Sequence, residues 1–235
     1  MKGWFNVSNL SEILSDFFEN IYNCVAKDRN SYSELKHIFI HEIFLNILGH
    51  LYKIEDFSSI GHILTRTYLL QRYGNVNHSS FSNFYCTEFQ NLDSAINEVN
   101  QGRKITAIGD YWLSNIDLEF CNRENLIFVD LLLNIFSQTS IINNLEIYWF
   151  PKLYIYDEYH KGINEFAAKL KSKNSALKML KMFNLSSIEI FKEYFKNLVD
   201  FANDKEYKMY GYSESFSSIP LLANYIKIEE IGMYN

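Results

Sequence analysis

The segment YSELKHIFIHEIFLNILGHLYK, residues 32–53, decides the fold. It holds no proline and one glycine, Gly49. Placed at about 100° per residue, its apolar side chains (Leu35, Ile38, Phe39, Ile40, Ile43, Phe44, Leu45, Ile47, Leu48, Leu51) lie nearly all round the axis. Only Glu42, Asn46 and Lys53 share a narrow polar strip. A helix that is apolar on almost every side belongs inside a bundle. Ser31 and Glu34 stand at capping-box spacing before it, which marks its start.

The neighbouring segments read the same way. Upstream, Leu10, Ile13, Leu14, Phe17, Phe18, Ile21, Tyr22 and Val25 form the stripe of an amphipathic helix. Downstream, a third helix follows Asp56, with Phe57, Ile60, Ile63, Leu64, Thr67 and Tyr68 inward. It is expected to stop before Gly74, where Gly-Asn-Val-Asn-His-Ser-Ser has loop composition. Leu92–Val99 and Ile105–Ile116 read as short helices. Asn125–Ser137 is an apolar run around Asp130, whose length favours a buried helix over a strand. Leu145–Tyr156 is the best strand candidate, because Pro151 would break a helix. Asn164 to about Phe183 is helical again. Ser186-Ser187-Ile188-Glu189 is a second capping-box spacing, opening a helix with Ile190, Phe191, Tyr194, Phe195, Leu198 and Phe201 inward. The expected fold is mainly α, a multi-helix bundle with at most a small β element near 145–156. It is read as one domain over 1–235 with a soft boundary at 74–82.

Composition bounds the class. Of 235 residues 48% are apolar and 17% aromatic, enough for a sizeable, aromatic-rich core and too much for a disordered chain. No apolar run reaches the roughly 18–20 residues that a membrane span needs. The N-terminal residues carry Ser, Glu and Asp before any long apolar block and do not read as a signal peptide. Cys24, Cys86 and Cys121 are far apart with no C-x-x-C, so a reducing, cytoplasmic setting is expected. The net charge of −6 argues against nucleic-acid binding by the surface as a whole.

Three constellations could carry chemistry. His37 and His41 are one helical turn apart, and Glu42 follows. That set, with the adjacent Glu34, has the residue types of a divalent-metal site. The H-E-x-x-H order is absent, however, and Ile38, Leu45 and Leu48 share the face. The plainer reading is a set of core histidines, with no cofactor. Arg72 and His78 have the spacing of the R-x4-6-H element of HEPN-type ribonucleases, where an imidazole activates a ribose hydroxyl and Arg holds the phosphate. Asp130 sits within an apolar run, and a buried carboxylate requires partners or a shifted pKa. The plain account is a structural hydrogen bond to loop backbone.

A fourth feature is electrostatic. Lys161, Lys169, Lys171, Lys173, Lys178 and Lys181 stand with a single acid, Glu165, in an otherwise acidic chain. A solvated helix face explains such a strip. Nucleic acid, or an acidic protein surface, is the functional alternative. There is no P-loop, no G-x-G-x-x-G and no G-x-S-x-G.

Two blocks, IFIHEIFLNILGHLYKIEDFSSIGHILTRTYLL (38–70) and LIFVDLLLNIF with YWFPKLYIYDEYHKGINEFAAKLKSK (126–136 and 148–173), are similar to helical regions that accompany effector or ATPase domains in bacterial anti-phage defence proteins. The resemblance rests on apolar patterning over about half the chain. It implies a sensing, scaffolding or oligomerising part with no catalytic residue carried over. It also implies that His41, Glu42, Asp130, Trp149 and Pro151 are positions to inspect. The expected function is a non-catalytic interaction subunit with a protein partner, no membrane and no cofactor. Its binding candidates are Lys169, Lys171, Lys173, Lys178, Lys181 and Trp149. The alternatives are a small nuclease, HEPN-like through Arg72 and His78 or metal-dependent through His37, His41 and Glu42, and a phage-encoded inhibitor of a host protein.

Overall fold

Residues 33–53 form one continuous helix, as their all-round apolar pattern requires. Ile38, Ile40, Phe44, Leu45, Leu48 and Leu51 are buried along it. Gly49 is needed for a close approach: a Cβ there would stand 2.5 Å from Sγ of Cys121. The computed structural model describes residues 7–26, 33–72, 74–85, 95, 98, 107–115, 119–142, 149, 151–153, 161–203 and 225–234. Among these the chain is mainly α, with eight α-helices and one two-stranded antiparallel sheet. No described helix is long and apolar enough to cross a membrane. The chain divides into two compact units, Met1–Val129 and Asp130–Asn235.

The first unit contains α1 (Val7–Ala26), α2 (Ser33–Lys53), α3 (Phe57–Thr65), the hairpin β1 (Tyr68–Arg72) and β2 (Asn75–Ser79), a 3-10 turn at Phe81–Phe84, and α4 (Ala107–Ser114). Helices α1, α2 and α3 pack on one another, and α1 also lies against β1. Their core is aromatic. Phe44 meets Phe18 at 4.9 Å and Phe84 at 5.1 Å between ring centroids, and Tyr68 meets Phe84 at 4.9 Å. Asp56 caps α3, its carboxylate accepting from the Ser59 amide and hydroxyl.

Helix α3 ends at Thr65, earlier than its apolar spacing suggests. Arg66 turns extended, and the Tyr68 hydroxyl donates back to the Ile63 carbonyl at 2.8 Å. The chain then enters the hairpin, so the two-stranded sheet among the described residues lies at 68–79. The 74–82 stretch read as a soft boundary lies inside the first unit. Of 145–156, Trp149 and Pro151–Leu153 are described and form no strand; the remainder lies outside the described residues. So do Ser31 of the first capping box and most of the expected helix at 92–99.

Helix α5 (Arg123–Ile142) is the buried helix expected from the apolar run, and the division between units falls within it. The second unit continues with α6 (Lys161–Lys171), α7 (Lys173–Leu180), α8 (Ile188–Asn203) and a 3-10 turn at Ile228–Glu230. The single helix expected over 164–183 is interrupted at Ser172, whose hydroxyl caps α7. The second capping residue is Ser187 rather than Ser186: its hydroxyl accepts from the Ile190 amide at 3.3 Å. That register places Phe191 and Phe195 in the core and leaves Ile190 exposed. Phe183 anchors this unit's aromatic core, against Phe136 at 4.9 Å and Phe191 at 5.1 Å. The C-terminal segment docks on α6: Gly232 and Tyr234 donate their amides to the carbonyls of Leu170 and Lys171, the orphan acceptors of that helix end.

Candidate functional site

Asp130, Asn134 and Ser137 fall at i, i+4 and i+7 on α5 and are all buried. In a helix this spacing aligns them as one polar stripe. The stripe holds the 149–153 segment. Oδ1 of Asp130 accepts from the Trp149 indole Nε1 at 2.8 Å. Oδ2 accepts from the amides of Lys152 at 2.5 Å and Leu153 at 2.7 Å. The Asn134 amide donates to the Trp149 carbonyl at 2.7 Å, and Ser137 donates to the Asn134 carbonyl at 2.8 Å. Burial raises the Asp130 carboxyl to about 6, outweighing the three donors that favour its charged form. The arrangement is a clamp: all the donors come from the segment that the carboxylate fixes.

The histidines of α2 are separated by their surroundings. His41 is fully buried between aromatic rings, Tyr85 at 5.2 Å and Trp112 at 5.0 Å. His37 packs edge-on to Tyr22 at 5.7 Å. Glu42 is half-buried, and burial lifts its carboxyl above the usual range. Among the described residues no three His, Cys, Asp or Glu side chains gather as a metal-holding group. His37 and His41 share a helical face but pack on different rings, and Glu42 lies about 100° further round the helix than His41. At the end of α2, Nδ1 of His50 bonds the Phe120 carbonyl at 2.7 Å, and its ring stacks on Phe120. Lys53 donates to the Glu119 carbonyl at 2.5 Å. Cys121 is buried and its thiol pushed up to about 12 by desolvation, so it stays protonated near neutral pH.

The segment with Arg72 and His78 is a hairpin, not the expected loop. Its register pairs Arg72 with Asn75 and Leu69 with His78. Side chains alternate along a strand. Position 72 therefore shares a face with 70, 75 and 77, while His78 shares the other with Leu69, Gln71 and Val76. The backbone places the two members of the HEPN-like pair on opposite faces, a consequence of ladder parity that linear spacing does not show.

The binding candidates also separate. Trp149 is fully buried, so it cannot serve as a surface contact. Lys171 is ion-paired with Glu230 at 2.6 Å, which raises the lysine and lowers the carboxyl. Lys161, Lys173, Lys178 and Lys181 are exposed, and Lys169 is half-exposed. The break at Ser172 puts Lys161, Lys169 and Lys171 on one helix and Lys173 and Lys178 on the next, with Lys181 just past its end.

Sequence reasoning missed one device. Glu19 and Asn23 of α1 cover the outer edge of β1. Glu19 accepts from the Leu69 amide at 2.8 Å. Asn23 donates to the Leu69 carbonyl at 2.9 Å and accepts from the Gln71 amide at 2.7 Å. Their i, i+4 spacing was visible, but its target was not, since β1 had not been read as a strand. No protein-family model, no curated protein and no solved structure matches this chain.

Proposed function

We propose that this chain is a non-catalytic protein-interaction subunit of a prokaryotic anti-phage defence complex. The observation that carries the reading is the pair Leu35 and Phe39, one turn apart on α2 and 51% and 53% exposed, on a helix whose Ile38, Ile40, Phe44, Leu45, Leu48 and Leu51 are buried. Lone exposed apolar residues need no explanation, but two large ones at i, i+4 are how a helix presents anchors to a partner. The structural engagement of Asp130, His41 and His50 supports the same reading. The link to defence rests on the apolar patterning of 38–70 and 126–173.

The test is capture by the tagged full chain in its source cell. A partner encoded in the neighbouring defence genes is expected. It should be lost with Leu35→Glu and Phe39→Glu while far-UV circular dichroism stays unchanged. Capture that survives both variants overturns the reading. So does cleavage of RNA or DNA, with or without Mg²⁺ or Mn²⁺, that disappears in His78→Ala or His41→Ala.

A further inference from the structure

We propose that β2 is a homotypic docking edge: two copies of this chain pair their β2 strands antiparallel about a two-fold axis at Asn77, making one four-stranded sheet. The argument begins with the phase of the hairpin. Its two-residue connection makes 72:75, 70:77 and 68:79 the hydrogen-bonded pairs of the register. The amides and carbonyls of Leu69 and Gln71 then point away from β2, and those of Val76 and His78 point away from β1. The contacts with α1 confirm this phase, because Glu19 and Asn23 take the outward groups of Leu69 and the outward amide of Gln71.

On β2 the same groups meet no partner among the described residues. Among the described residues the amides and carbonyls of Val76 and His78 make no hydrogen bond, and Asn75–His78 are exposed. Sheet edges are ordinarily protected by lysine, proline, a bulge or a covering element. The strand Asn-Val-Asn-His-Ser has neither lysine nor proline, and its five-pair ladder has no bulge. One edge of the hairpin is thus covered by purpose-placed side chains, and the other is left open.

The strand is self-complementary, which selects a second copy as the occupant. A two-fold axis at Asn77 sets Val76 opposite His78 of the other copy. In that register every outward amide and carbonyl of Val76 and His78 meets its counterpart, and none is left over. The strand carries no formal charge with neutral histidine, so nothing repels a copy of itself, and nothing on it selects a charged foreign strand. Leu69, 44% exposed, and Val76, 59% exposed, lie on one face of the hairpin. The paired sheet joins the two faces into one apolar surface.

The experiment is sedimentation equilibrium of the full chain over a concentration series. A small edge-to-edge interface should give a dimer with a dissociation constant roughly in the micromolar to millimolar range. Val76→Pro removes an outward amide that the hairpin does not use, and proline is tolerated at an edge. It should weaken the dimer about tenfold or more while the melting temperature holds. Asn77→Cys in a Cys24→Ser background should form a disulfide-linked dimer on mild oxidation, since residues facing across the axis are about 4.5 Å apart at Cα. Asn75→Cys should not. A chain that stays monomeric throughout the series overturns the proposal and leaves the edge to a foreign strand. A dimer that Val76→Pro leaves intact, or equal cross-linking at 75 and 77, overturns it in favour of another surface.

Discussion

Trp149 and Asp130 are joined within the second unit by an indole N–H donating to a carboxylate at 2.8 Å, and the amides of Lys152 and Leu153 complete the carboxylate's shell. Three donors converge on one buried acceptor group. Asp130→Ala orphans all three, and an unsatisfied buried donor costs about 1–3 kcal/mol. A loss of about 3–5 kcal/mol is expected by urea denaturation, the range for breaking a buried charged network. Trp149→Phe should cost about 1–3 kcal/mol. The double variant should be less destabilised than the sum by about 1 kcal/mol, because its indole donor is gone along with the acceptor. Strict additivity in the cycle would mean that the two side chains do not act together.

The same carboxylate makes stability depend on pH. Its folded pKa, about 6, lies above the usual 3.8, so the folded state holds the proton more tightly. Its contribution is therefore fully present below pH 3.8 and is lost as pH rises through about 6. The gap corresponds to about 3 kcal/mol. Other carboxylates titrate too, so the readout is the difference between the wild-type chain and Asp130→Asn. Wild-type stability relative to that variant should fall between about pH 4 and pH 6 and then level off. A difference that is flat, or that rises with pH, contradicts the raised value.

Much of this was legible in the sequence, for reasons that differ by residue. Helix α2 was readable as a helix because periodicity is a local property, but the all-round apolar pattern did not show that Leu35 and Phe39 are exposed. Asp130 was readable as a structural acid, because an ionisable group inside an apolar run must be satisfied. Its donors, however, come from 19 to 23 residues further on, where no local pattern points. Trp149 was misjudged for the same reason, since an aromatic looks alike whether it anchors a core or a partner. The hairpin escaped because Ile63, Leu64, Thr67 and Tyr68 extend helical spacing past the true end of α3. β2 shows no apolar alternation either, because four of its five residues are exposed.

Gly232 tests how the C-terminal segment is fastened. Its φ of +66° is left-handed, and a Cβ there would lie 2.8 Å from Cδ1 of Ile188. Gly232→Ala should cost about 1–2 kcal/mol in thermal or urea unfolding, from the backbone alone. Adding Ile188→Val removes the clashing methyl and should recover the steric part but not the backbone part. Full recovery would show that the φ value carries no strain.

Glu55 and Asn184 occupy the left-handed position after their helices, at φ values of 58° and 53°. In each case the following amide closes the helix end: Asp56 donates to the Leu51 carbonyl at 2.9 Å, and Leu185 to the Leu180 carbonyl at 3.0 Å. This is the Schellman arrangement, where glycine is preferred because it carries no Cβ. Glu55→Gly should therefore stabilise the chain by about 0.5–1 kcal/mol, a shift visible as a higher urea midpoint with an unchanged slope. Asn184→Gly should gain less, since asparagine tolerates this region better than glutamate does. Glycine also loosens the unfolded chain, which subtracts from the gain at both sites; a gain at Glu55 no larger than at Asn184 would show that relief of backbone strain is not what glycine supplies there.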